Sequence, residues 1–122
     1  MALLIMLGLA IKHFVADFLL QFNWMITAKG RFDKIGGYAH AGVHGVGSGL
    51  CFWLLGFPVV LVAGMAVGDF VIHYAVDFTK ARASVNVERD RQIHLYWGMY
   101  GLDQLAHYLT YIGMAYVAIK LA

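Results

Sequence analysis

The sequence predicts an all-helical integral membrane protein, one domain over residues 1–122 built as an antiparallel bundle of four transmembrane helices. Three observations lead there. Of the 122 residues, 61% are apolar and only 13% charged, against about 45–50% and about 25% in ordinary soluble domains. Mean hydropathy is +0.70. Four stretches also stay mostly apolar for roughly the 20 residues that a helix needs to cross a hydrocarbon core about 30 Å thick. The formal charge of +2 is too small to suggest a nucleic-acid partner, and none is expected. The single cysteine, Cys51, excludes an internal disulfide and any cysteine-based metal or redox site.

The first expected span covers residues 2–21. It has no basic leader and no small-x-small cleavage pattern, so it reads as a helix of the mature protein rather than a signal peptide. The second covers 38–55 and the third 57–78, separated by the break Gly56-Phe57-Pro58. That break closes a tight hairpin and puts the sole proline at a helix start, where its missing N–H does no harm. The fourth covers 96–121. Between the spans lie loop 22–37, with Lys29, Arg31 and Lys34, and loop 79–95, with Lys80, Arg82, Arg89 and Arg91. Seven of the nine Lys and Arg residues therefore sit in two loops that a four-span bundle places on one side. The positive-inside rule makes that side cytoplasmic, with both termini outside, in a multi-pass protein of a bacterial inner (plasma) membrane. Trp24, Tyr96 and Trp97 fall where an interfacial aromatic belt is expected. Ala41, Gly45 and Gly49, and separately Gly64 and Gly68, are expected to form small-residue faces that let helices approach.

The residues that do not belong in hydrocarbon carry the function. A charge at the centre of a membrane helix costs about 2.5–3.5 kcal/mol on insertion scales. Yet each span holds an ionisable pair spaced i,i+4: His13/Asp17, His40/His44, His73/Asp77 and Asp103/His107. That spacing stacks both members on one helix face. Asp17, His44, His73 and His107 lie at similar depth from the cytoplasmic ends, with His13 deeper and His40 and Asp77 shallower. The eight side chains are thus expected to converge in the cytoplasmic half of the bundle.

Imidazole and carboxylate without thiolate suit a divalent ion, Zn²⁺ first and Mn²⁺ or Fe²⁺ next, as one ion or two. Such an ion would activate a water, and Asp77 or Asp103 could serve as general base. Asp69, one turn from His73, is the candidate either to orient a ligand from behind or simply to make a hydrogen bond between helices. Gln21 and Gln104 extend the polar stripes, and Lys80 and Arg82 at the cytoplasmic mouth could hold an anionic phosphate or simply anchor the helix end. Lys12, mid-helix, either snorkels or neighbours the cluster. Two other readings of the pairs stay open: a proton or ion relay, and a polar network that only joins helices.

The motifs His13-Phe14-x-x-Asp17-Phe18-x-x-Gln21, His40-x-x-x-His44, His73-x-x-x-Asp77-x-x-Lys80-Ala81-Arg82 and Asp103-Gln104-x-x-His107 span nearly the whole chain. In them the sequence resembles an uncharacterised family of small bacterial and phage multi-pass membrane proteins. More distantly it is similar to membrane-bound metal-dependent hydrolases, themselves likened to zinc-dependent phospholipase C. What the resemblance implies is a phosphoester or lipid hydrolase. No glutamate lies in any span, so aspartate must take any role a glutamate ligand plays in such enzymes.

The expected function is therefore an intramembrane metal-dependent hydrolase, with a metal or proton transporter and an oligomerising phage-type membrane effector as alternatives. Membrane lipid is the expected partner. A bundle this small has little room to enclose a lipid within one subunit, which points to a homo-oligomer.

Overall fold

The computed structural model describes all residues 1–122 and contains helices and turns only. Helix α1 (Ala2–Phe14) runs on into a π-helical turn, Val15–Leu19. A short α2 (Asn23–Ile26) follows, then α3 (Ile35–Leu54), α4 (Val59–Ala83) and α5 (Ile93–Leu121). The long helices form a ring in which α1 and α4 each pack against both α3 and α5. Helices α3, α4 and α5 each begin or end several residues beyond the expected spans, because the helical backbone continues past the apolar stretch into the charged loops.

Two stretches, Ala2–Leu19 and Val59–Ala83, are long and apolar enough to cross a membrane, each with a mean hydropathy of 1.9. Helices α3 (20 residues) and α5 (29 residues) match them in length, at 1.5 Å per residue. They carry less apolar character because glycines, His40, His44 and Ser48 dilute α3, while Asp103, Gln104 and His107 dilute α5.

The bundle is apolar outside and polar inside, at least at one end. Only 27 of 122 residues are buried, and nine of these are polar or charged. Leu3, Val60, Leu109 and Tyr116 are each more than half exposed. Such an exterior far exceeds the apolar patches that soluble monomers tolerate. Inside, a cluster of Ile5, Leu9, Phe52, Phe57, Met65, Tyr111, Met114, Ala115 and Ala118 fills the end nearest the Gly56-Phe57-Pro58 turn. At that turn Gly56 adopts φ +82°, a left-handed conformation that favours glycine.

Helices α3 and α4 pack most closely. A Cβ at Gly45 would stand 2.7 Å from the Ala66 carbonyl oxygen, and one at Gly49 would stand 3.1 Å from the Ala66 Cβ. Gly64 and Gly68, expected to form a matching face on α4, meet nothing within 4 Å. The expectation fails there because α4 presents Ala66 and Phe70 to α3, and its glycines look outward. Gly45→Ala is therefore expected to destabilise the bundle by about 1–3 kcal/mol, since rigid backbone cannot yield. Gly64→Ala should be neutral or stabilising by up to about 1 kcal/mol, from helix propensity alone. Unfolding of both variants in mixed detergent micelles checks the contrast.

Residues 22–34 lie across the opposite end. A Cβ at Gly36 would clash with the Trp24 carbonyl and Ala28, and Gly30 (φ +80°) sits against Ala81 and Arg82. Phe32 stacks on Phe78 with ring centroids 4.2 Å apart. Arg31 donates to both oxygens of Asp33, at 3.2 and 2.9 Å, and holds that carboxyl below its ordinary range. Arg31 is thus engaged within the loop, whereas Lys29 points into the bundle.

Candidate metal centre

Each long helix delivers one polar stripe at i,i+4 spacing to the bundle axis. Helix α1 with its π turn brings Lys12, His13 and Asp17; α3 brings His40, His44 and Ser48. Helix α4 brings Asp69, His73 and Asp77; α5 brings Asp103, Gln104, His107 and Tyr111. The four expected pairs therefore meet in one place, and two carboxylates organise them.

Asp17 Oδ1 lies 2.8 Å from His44 Nε2 and 3.2 Å from His40 Nε2, and Oδ2 lies 3.1 Å from His13 Nε2. Asp77 Oδ1 lies 3.2 Å from His107 Nε2. Its Oδ2 lies 3.3 Å from His73 Nε2, 3.6 Å from His40 Nε2 and 3.1 Å from Lys29 Nζ. The His73 ring is stacked between those of His44 and His107, with centroids 3.5 and 4.0 Å away.

Two groups of donors are close enough to share an ion. Asp17, His40, His44 and His73 form one, and His73, Asp77 and His107 the other; within each, the ligand atoms lie within 4.8 Å of one another. An ion bound tetrahedrally at about 2.0–2.1 Å from nitrogen or oxygen sets neighbouring donors about 3.3 Å apart. The separations of 3.2 and 3.3 Å given above match that spacing, whereas the 2.8 Å between His44 Nε2 and Asp17 is that of a hydrogen bond. A second observation concerns hydrogen bonding. Both ring nitrogens of His40 and both of His73 are buried without a hydrogen-bond partner, although buried polar atoms are nearly always paired. One nitrogen of each ring, the Nε2 beside Asp17 in His40 and beside Asp77 in His73, is placed to take an ion. The buried His/Asp groups could hold a metal ion.

The remaining side chains surround these groups. His13 is engaged at both nitrogens, Nδ1 with the Tyr111 hydroxyl at 2.8 Å and Nε2 with Gln104 Oε1 at 2.8 Å. Asp103 accepts from Gln104 Nε2 at 3.1 Å and lies 3.5 Å from His107 Nε2. His13 and Asp103 thus stand beside the two groups rather than in them. Lys12 does not snorkel. Its buried ammonium donates to Asp69 Oδ2 at 2.7 Å and to Tyr111 at 3.0 Å, and meets His44 Nδ1 at 3.1 Å. With that ammonium donating, Nδ1 of His44 accepts, so Nε2 carries the proton and offers it to Asp17. For an ion to take Nε2, the ring proton would have to move to Nδ1, with Lys12 turning its donors to Asp69 and Tyr111 alone.

Of the two readings of Asp69, the structure shows the bond between helices: it pairs with Lys12 and accepts from Ser48 Oγ rather than standing behind His73. Across-bundle proximity outweighs the one-turn spacing there. Gln21 turns back to the Asp17 carbonyl at 3.0 Å. Lys80 and Arg82 lie over aromatic rings, Tyr100 at 5.8 Å and Phe78 at 5.3 Å, so neither reaches the cluster from the loop end. Lys29 does. Ser48 and Tyr111 were detectable in principle, each one turn beyond a stripe histidine. Lys29 sits in a loop without periodicity and leaves no such signal.

A family model matches residues 3–122, nearly the whole chain. The chain belongs to the DUF3307 family, proteins of unknown function. No curated protein and no solved structure matches it. For this DUF3307 chain, the side chains at the axis are therefore the available guide to activity.

Proposed function

We propose that this DUF3307 protein is a membrane-embedded, metal-dependent hydrolase acting on a phosphoester or lipid substrate at the cytoplasmic face of a bacterial inner membrane. The observation that carries the reading is the set of orphaned His40 and His73 nitrogens between Asp17 and Asp77. Four spans, with loops 22–37 and 79–95 cytoplasmic, are supported by the apolar exterior and by the charge gathered at the end that holds the cluster. Zn²⁺ is the ion best suited to imidazole and carboxylate donors, with Mn²⁺ and Fe²⁺ next.

The chemistry supplied by a bound divalent ion is Lewis acidity, together with a water made nucleophilic near neutral pH. The chain's own residues do the rest. Asp17, His40, His44 and His73 would hold the ion. Asp77 and His107 complete the neighbouring group, where His73 can serve only one ion through a given nitrogen. Asp103, outside both groups but beside His107, is placed to take up a proton. The relay alternative draws on the continuation of polar groups through Lys12, Asp69 and Ser48. That path stops at Ile5, Leu9, Phe52 and Met65, which fill the far end, so an enzyme open to one face is favoured over a through-pathway.

Elemental analysis of protein purified in mild detergent without a His tag tests the reading. The expected result is about one to two equivalents of transition metal, lost in a His44→Ala/Asp77→Ala variant, with phosphoester or lipid hydrolysis abolished by a chelator. A wild-type protein that keeps its fold and takes up no metal in excess zinc and manganese would overturn it.

A further inference from the structure

We infer that Lys29 is the anion-binding residue of this centre, positioned to hold a phosphate group of the substrate against the metal. The inference deepens the hydrolase reading and rests on it.

Lys29 belongs to the segment that crosses the loop end of the bundle, anchored by Gly30 against α4 and by Ala28 against Gly36. Its ammonium lies 3.1 Å from Asp77 Oδ2, with the side chain 21% exposed and Asp77 10%. It is thus mostly buried, with about a fifth of the side chain open to the loop end. Lys12, the other cation at the axis, is sealed deeper by Asp69 and Tyr111, and Arg31 is taken by Asp33.

The oxygen that Lys29 holds is also the oxygen that faces His73 and His40. An ion coordinated by Asp77 would therefore compete with Lys29 for Oδ2. Were the ion to take that oxygen, Lys29 would lose its carboxylate partner while its backbone stayed held by the packing of Ala28 and Gly30. Two such cations repel unless an anion lies between them. A tetrahedral oxyanion satisfies both, with one oxygen toward the metal and another toward Lys29, in a charge-assisted hydrogen bond of the kind lysine makes to phosphate. The group bound is a phosphate, carried either by a lipid headgroup or by a soluble phosphoester.

The test uses full-length, zinc-loaded protein in neutral detergent, titrated calorimetrically with inorganic phosphate. Lys29→Met is expected to weaken phosphate binding about 10–100-fold. Lys29→Arg should retain most of it, and Lys80→Met should match wild type. Removing a competitor for Asp77 should leave the zinc affinity of Lys29→Met equal to wild type or higher, a result that misfolding would not give. Equal phosphate binding by wild type and Lys29→Met overturns this inference while leaving the metal reading intact. Failure of wild type to bind zinc overturns both. Addition of phosphatidic acid in mixed micelles separates the sources. Displacement of phosphate assigns the site to a lipid headgroup, and no displacement assigns it to a soluble phosphoester.

Discussion

Replacing His73 by alanine is expected to remove metal binding more completely than any other single change. His73 is the only residue common to both donor groups, so its loss leaves three donors in one and two in the other. Altering residues that merely support ligands typically costs 10–100-fold in affinity; the loss here should exceed about 100-fold. Neither ring nitrogen of His73 makes a hydrogen bond, so stability should fall only by the packing lost between His44 and His107. His13→Ala should behave in the opposite sense. It breaks hydrogen bonds to Tyr111 and Gln104 and so costs stability, while metal affinity drops by no more than about 100-fold. Zinc titration and detergent unfolding of both variants give the comparison. A His73→Ala protein that binds zinc like wild type would mean that the histidines serve helix association alone.

The second large effect concerns Lys12. Lys12→Met leaves Asp69, 1% exposed, as a buried charge without its counter-ion. Removing one partner of a buried pair costs about 3–5 kcal/mol, whereas replacing both by apolar groups is often neutral or stabilising. Lys12→Met is therefore expected to unfold at markedly lower SDS, and Lys12→Met/Asp69→Leu to recover much of the loss. Failure of the double variant to recover would show that Ser48 or Tyr111, rather than charge balance, governs this region.

Much of the architecture is legible in the sequence because a helix makes its own faces. Once His13/Asp17, His40/His44, His73/Asp77 and Asp103/His107 are seen at i,i+4 in apolar helices, burial of polar groups leaves the bundle axis as their common place. What cannot be read this way depends on how helices are rotated against one another. Asp69 has His73 one turn away along α4, yet its partner is Lys12 on α1. Gly45 and Gly64 look alike as letters, and only the rotation of α4 decides that one is crowded and the other open. The π turn at Val15–Leu19 has no compositional signature either, although it sets where Asp17 points. Lys29 lies outside any periodic segment, and its role follows only from where the loop folds back.

The Lys12–Asp69 pair also has a consequence for biogenesis. Its two members are 57 residues apart in the chain, so at about 5–20 residues per second several seconds separate their synthesis. During that interval Lys12 lacks this counter-ion, and were α1 to enter a bilayer alone, transfer of its ammonium to the centre would cost about 2.5–3.5 kcal/mol. An α1 inserted in this way would settle only once a segment near the middle of the chain has been made.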